Sequence, residues 1–393
     1  MDGKVNVFIR LRNNTNDKVW HAEDNVLSKY IDNQKISYPC FKKIFVMENT
    51  FEIYEEVVKS FLLELMDGKN CTVFTYGQTG SGKTYTMSGD GETEGIIFYS
   101  LETIFENINE DVEIHISYIE IYNENLLDLI DMGKKLKILA VNDIPVVNNL
   151  TKIKISSLEE ALKIYKECET NKKIGETKFN KKSSRSHTIF QIEVSKNNTK
   201  SILNLIDLAG SERASGSSIR MREGAYINKS LLALGSVINS LKNNRHANFR
   251  DSKLTRILQP SMNSSVNLVS LCMISPTKQC INETISTLNF ASRLLQIKMK
   301  GVEEKSNRGL LSNNVKKCNC DKKKIDFYNI QDSEIYRENT LLKRRIQSLE
   351  NMISSLLKTS NCKRTKDIYL LEKNVFNLQL EMVKKQQNKE KEL

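Results

Sequence analysis

An α/β fold, a β-sheet covered by helices on both faces, is what this sequence predicts, and three observations predict it. Apolar, β-branched runs alternate with longer amphipathic stretches over residues 1–300. One run, CTVFTY, leads directly into the glycine-rich stretch GQTGSGKT at residues 77–84. A length of 393 residues, 39% hydrophobic and 27% charged, is enough for at least one sizeable core.

In chain order, the expected strands are VNVFIRL, CTVFTY, EIHISYIEIY, HTIFQIEV, SILNLIDL and VNLVSLCMI, each rich in β-branched and apolar residues. FEIYEEVVKSFLLELM and INKSLLALGSVINSL carry apolar residues at helical spacing and read as helices. Residues 301–330 are polar, lysine-rich and poor in apolar residues, which reads as a largely disordered neck or linker. From residue 331 to 393 the pattern changes again. Ile335, Leu342, Ile346, Leu349, Ile353 and Leu356 fall at alternating d and a positions of a heptad, with Asn339 at the remaining a. The pattern breaks near residues 357–367 and resumes, one residue out of phase, at Ile368, Leu371, Val375, Leu378 and Met382. A dimerising coiled coil is expected there, against the plainer reading of one amphipathic helix that packs elsewhere.

Residues 77–84 fit G-x-x-x-x-G-K-[ST] in the context the chemistry needs, a strand before and a helix after. Gly77, Gly80 and Gly82 let the backbone approach phosphate closely. The amides around Gln78, Thr79 and Ser81 turn inward as an anion cradle, and the helix N-terminus adds positive potential. Lys83 is expected on the β- and γ-phosphates, and Thr84 on Mg²⁺. The ligand is therefore expected to be a nucleoside triphosphate.

Two further stretches belong to the same chemistry. SILNLIDLAGSE ends an apolar strand in Asp207, where a Walker-B carboxylate holds the water shell of Mg²⁺, and Gly210 follows at a spacing that suits a γ-phosphate contact. The plainer reading of Asp207 is a turn cap. NKKSSRSH, residues 180–187, gathers an asparagine, hydroxyls and an arginine just before a strand. Its plainer reading is a polar turn.

The net charge of +11 implies an acidic partner: nucleic acid, an anionic membrane or an acidic protein surface. The eight cysteines are scattered and form no disulfide framework; Cys318 and Cys320 lack a second ligand pair for zinc. No apolar run approaches the ~18 residues of a membrane span, and no apolar segment follows Met1. A soluble, intracellular protein in a reducing compartment is expected.

Together, GQTGSGKT, NKKSSRSH and DLAGSE resemble the P-loop, switch I and switch II signatures of the kinesin motor domain. YIEIYNENLLDLI, INKSLLALGSVINSL, FRDSKLTRILQPS and STLNFAS resemble the same family, in its order, and the likeness spans residues 4 to about 300. RDSKLTRILQPS and the N-terminal motor look most like the centromere-protein-E branch. The resemblance implies a P-loop kinesin fold with a central mixed β-sheet flanked by helices on both faces over residues 1–300, and an ATP hydrolase. It also implies a microtubule motor, plus-end-directed, in the cytoplasm and cytoskeleton, the spindle included. Its alternative is a microtubule-binding regulator or scaffold whose ATP switch works but steps weakly. A scaffold with a decayed ATPase is disfavoured by Lys83, Thr84, Ser184, Arg185, Asp207 and Glu212.

The resemblance also implies roles. Ser184 joins Thr84 and Asp207 at Mg²⁺. Gly210 reports the γ-phosphate. Arg185 and Glu212 form an ion pair that latches the switches, and Glu212 relays the proton of the attacking water, oriented by Asn180 and Ser183. Adenine stacks near Tyr85 and Arg10, Arg12 and Asn13, where Asn13 replaces the family's usual proline. Arg213, Arg250, Lys253 and Arg256 face tubulin, with Arg220 and Arg222 nearby; no nucleic-acid fold is visible. Ile297 and Val302 lie in the expected neck linker. Its sequence and the short cover strand MDGK match the family poorly and weaken the expected power stroke.

Overall fold

The computed structural model describes residues 5–297, apart from 13–18, 24, 32–33, 39–40, 109–110, 142, 178–184, 198, 213–217 and 263–265. The expected linker, the coiled coil and Val302 lie outside the described residues.

The chain opens with β1 (Val5–Leu11), followed by a separate antiparallel sheet of β2 (Trp20–Glu23), β3 (Val26–Ile31) and β4 (Gln34–Tyr38). Next come β5 (Lys43–Phe45), α1 (Thr50–Val57), α2 (Lys59–Met66), β6 (Cys71–Tyr76), α3 (Lys83–Ser88) and α4 (Ile96–Glu106). The middle of the chain forms β7 (Val112–Tyr122), β8 (Asn125–Asp128), the ribbon β9 (Lys137–Val141) and β10 (Ile144–Asn148), β11 (Ile153–Ile155) and α5 (Leu158–Thr177). The last part holds β12 (His187–Lys196), β13 (Thr199–Asp207), α6 (Ser218–Lys242), α7 (Lys253–Leu258), β14 (Asn267–Ile274) and α8 (Ile281–Leu295).

The main sheet has the order β11-β7-β12-β13-β6-β14-β1-β5, with β8 on β7. β13, β6, β14, β1 and β5 run parallel, whereas β12 is antiparallel to both β13 and β7. The sheet is therefore mixed, as the family resemblance implies. Side-chain parity splits the core in two. Val7, Ile9, Phe74 and Ile206 face one side, where α6, α7 and α8 supply Leu234, Leu254 and Leu288. Phe8, Val73, Leu203 and Leu205 face the other, under Ile53, Leu65, Leu101 and Ala161 of α1, α2, α4 and α5. β6 and β14 are buried along their whole lengths, which explains their unbroken apolar runs.

All six expected strands form. The expected helix over residues 51–66 is two helices that share Val58 as a cap; Val58 stays in the right-handed helical region at φ −107°, ψ −41°, and its N–H still donates to the Tyr54 carbonyl. Two β-branched residues, Val57 and Val58, stand at that join, where helix propensity is low. Ile297, expected in the neck linker, is buried in the core with α8.

Candidate active site

The carboxyl ends of β6, β13, β14 and β1 open onto one crevice, the place where open α/β sheets bind ligands. The loop Gly77–Gly82 runs from β6 into α3, whose first residue is Lys83. Gly77 has φ +148°, and a Cβ there would overlap the Met273 carbonyl of the neighbouring strand. Only glycine takes this sharp exit from the sheet. Lys83 is buried and donates to the carbonyl oxygens of Gly77 and Gln78, each at 2.8 Å. Burial lowers its pKa, against the pull of Asp207 and Glu212.

Asp207 sits at the end of β13, in register with Thr75. Its Oδ2 accepts from Thr84 Oγ1 at 2.6 Å and its Oδ1 from Thr75 Oγ1 at 3.0 Å. The second residue of α3 and the strand-end carboxylate are thus joined. This pair offers two hard oxygen donors side by side, which suits Mg²⁺, an ion that keeps water and phosphate oxygens for most of its positions. Among the described residues no group of three or more His, Cys, Asp or Glu forms a metal cage.

The segment after Asp207 is docked on the loop. Ser211 N–H donates to the Gly77 carbonyl at 3.1 Å. Thr79 N–H donates to Glu212 Oε2 at 2.8 Å, and Thr79 Oγ1 donates to Glu212 Oε1. Both oxygens of Glu212 are engaged by this one threonine. A Cβ on Gly210 would overlap Thr79 Oγ1 and the Glu212 carboxylate. Arg185 lies partly buried just before β12. Asn13, Asn180, Ser183, Ser184 and Arg213 lie outside the described residues.

On the other side of the loop is a cleft of about 700 Å³, lined by Arg10, Arg12, Met47, Thr79, Lys83 and Tyr85 among others. Arg10 donates to Thr86 Oγ1 at 2.6 Å and Thr50 Oγ1 at 3.2 Å, and its guanidinium carbon lies 5.5 Å from the Tyr85 ring centroid. Arg12 donates to the Gly80 carbonyl at 2.7 Å. The two arginines and Tyr85 are therefore brought together beside the loop. Gln78 turns away, its Nε2 on Cys280 Sγ at 3.0 Å.

On the face covered by α6, exposed Arg250 and half-buried Lys253 and Arg256 lie on one short turn-and-helix unit. The groove beside it is lined by Lys229, Leu232 and Arg250, and Leu232 is 71% exposed. Arg220 and Arg222 belong to α6, but their side chains lie outside the described residues. Sequence reasoning missed Thr75, Cys280, Lys229 and Leu232. Thr75 had a signal, a polar residue in a wholly buried strand, where a hydroxyl needs a partner.

Such a crevice, with its loop and docked second segment, is that of a P-loop nucleotide-binding protein. Over residues 9–297 the chain matches the family model of the kinesin motor domain, and it belongs to that family. It is 37% identical over 326 residues to kinesin-like protein KIN-7N of Arabidopsis thaliana, covering 75% of this chain and 39% of the relative. Kinesin-like protein tea2 of Schizosaccharomyces pombe is 41% identical over 277 residues, covering 64% of this chain and 44% of the relative. The matched part thus spans less than half the length of either. A solved structure of a fast kinesin superposes with a TM-score of 0.70 at 32% identity, over 78% of this chain and 96% of that one. Among the described residues no helix is long and apolar enough to cross a membrane.

Proposed function

We propose that the chain is a microtubule-stimulated ATPase that converts ATP hydrolysis into plus-end-directed movement. The observation that carries this reading is the docking of residues 207–212 on the phosphate loop through Thr84, Gly77 and Thr79. Any group that enters beside Thr79 must compete with Glu212, so the second segment senses what the loop holds.

Lys83 and the loop amides hold the phosphates, and Arg10, Arg12, Tyr85 and Asn13 hold the base. Thr84, Asp207 and Ser184 would hold Mg²⁺, which neutralises charge on the phosphate oxygens. Entry of the γ-phosphate draws Gly210 N–H to it and releases Glu212 from Thr79 to pair with Arg185. Asn180 and Ser183 orient the water. As the water attacks phosphorus and the bond to the bridging oxygen breaks, Glu212 takes up the water's proton. Release of phosphate lets Glu212 give that proton to solvent and return, as a carboxylate, to Thr79. Arg250, Lys253 and Arg256 make the acid-seeking surface toward tubulin, with Arg213 beside them; the net charge of +11 supports an acidic partner.

Gliding of polarity-marked microtubules over the immobilised full chain tests the reading. ATP-dependent gliding with minus ends leading is expected. Gliding with plus ends leading reverses the direction assigned here. Microtubule-stimulated ATP turnover without gliding leaves the nucleotide switch and removes the motor.

A further inference from the structure

His187 lies between the nucleotide crevice and α6, and its imidazole is bonded on both sides. Nδ1 accepts the backbone N–H of Ala209 at 3.0 Å, two residues past Asp207. Nε2 lies 2.7 Å from Ser230 Oγ on α6. A ring nitrogen that accepts from an amide carries no proton, so the neutral ring has its hydrogen on Nε2 and donates it to Ser230. Both residues are 2% exposed, so neither bond is exchanged for water without opening the core. His187 also begins β12 and is the last residue of the NKKSSRSH stretch. One ring therefore joins the end of that stretch, the segment docked on the phosphate loop, and the long helix beside Arg250 and Lys253.

We propose that His187 is a positioning residue that ties residues 208–212 to α6, so that a shift of that segment is passed to the helix rather than absorbed in the loop. The proposal rests on the nucleotide-switch reading above. Ala209 is followed by Gly210 and Glu212, so undocking from Thr79 pulls on the amide that His187 holds. A peptide hydrogen bond alone would end at the sheet. The second bond, to Ser230, extends the connection across the core to the opposite layer.

Ser230→Ala in the full chain removes the acceptor and leaves every contact of the phosphate loop in place. Affinity for a fluorescent ATP analogue and turnover without microtubules should match the parent. The ratio of microtubule affinities with a non-hydrolysable ATP analogue and with ADP should fall about tenfold, and Ser230→Thr should restore it. Amide hydrogen exchange reads the same link without microtubules. In the parent, exchanging ADP for the analogue should change protection in both 208–212 and 229–242; in Ser230→Ala, only in 208–212. If Ser230→Ala does not fold, Ser230→Cys, a weaker acceptor at the same place, carries the comparison. A variant with the parent's ratio and exchange pattern overturns the link. A parent indifferent to microtubules, whose two segments still respond together and separate in the variant, overturns the motor reading and supports the link.

Discussion

Thr79 holds Glu212 with two donors, and that pairing sets what single substitutions should do. A carboxylate with both oxygens engaged is oriented, and in the proposed cycle those same oxygens take the proton when the segment rearranges. Gly210 serves this arrangement through space rather than through φ, since a Cβ would strike Thr79 and Glu212. Glu212→Ala removes the proton acceptor and keeps Lys83, Thr84 and Asp207. Steady-state turnover should drop about 10²–10⁴-fold, the usual worth of a general base, while titration with a fluorescent ATP analogue shows binding retained. Parent-like turnover would take Glu212 out of the chemistry.

At the scale of elements, the contact between β12 and α6 makes a stability prediction. Burial in the core, aided by the charge of Lys83, lowers the His187 pKa to about 3. The unfolded chain takes up a proton near the ordinary value of about 6.5, and the folded chain does not until far lower pH. Between these values the unfolded state binds more protons, so stability rises with pH and is lost as pH falls below about 6.5. The loss is about 1.4 kcal/mol per pH unit. Urea unfolding at pH 7.5 and 5.5 should show this drop, and His187→Gln should flatten it; equal drops in both would sink the assignment. The same contact shows what the sequence made legible. Long apolar runs announced the central strands, and local spacing announced Lys83, Thr84 and Asp207. What joins them was hidden, because Thr84 meets Asp207 across 123 residues, and Gln78 meets Cys280 across 202. Only the strand order brings those segments to one edge. The ribbon of β9 and β10 was hidden for another reason. Ile138 and Val147 pack inward, while Leu139, Val141, Ile144 and Val146 are exposed, so apolar residues lie on both faces and no alternation marks it as strand.

For the whole molecule, the sequence bears on whether the proposed motor acts alone or in pairs. Every described lining residue of the nucleotide crevice comes from one chain, so the proposed turnover does not call for a second copy. The heptads of residues 335–382 are the only feature of the sequence that calls for one, and they come as two short stretches one residue out of phase. We propose a parallel dimer through the first stretch, in which Asn339 fixes the register. Sedimentation equilibrium of the full chain should return twice the 45.1 kDa chain mass. Replacing Ile346, Leu349 and Ile353 together by serine removes six buried side chains from the pair. At about 1.5–3 kcal/mol for each, the loss exceeds what so short a coil retains, and the variant should sediment as a single chain. Its ATP turnover per chain should equal the parent's, because nothing in the crevice has changed. A parent that already sediments at 45.1 kDa across the concentration range removes the dimer and assigns the heptads to a helix that packs elsewhere.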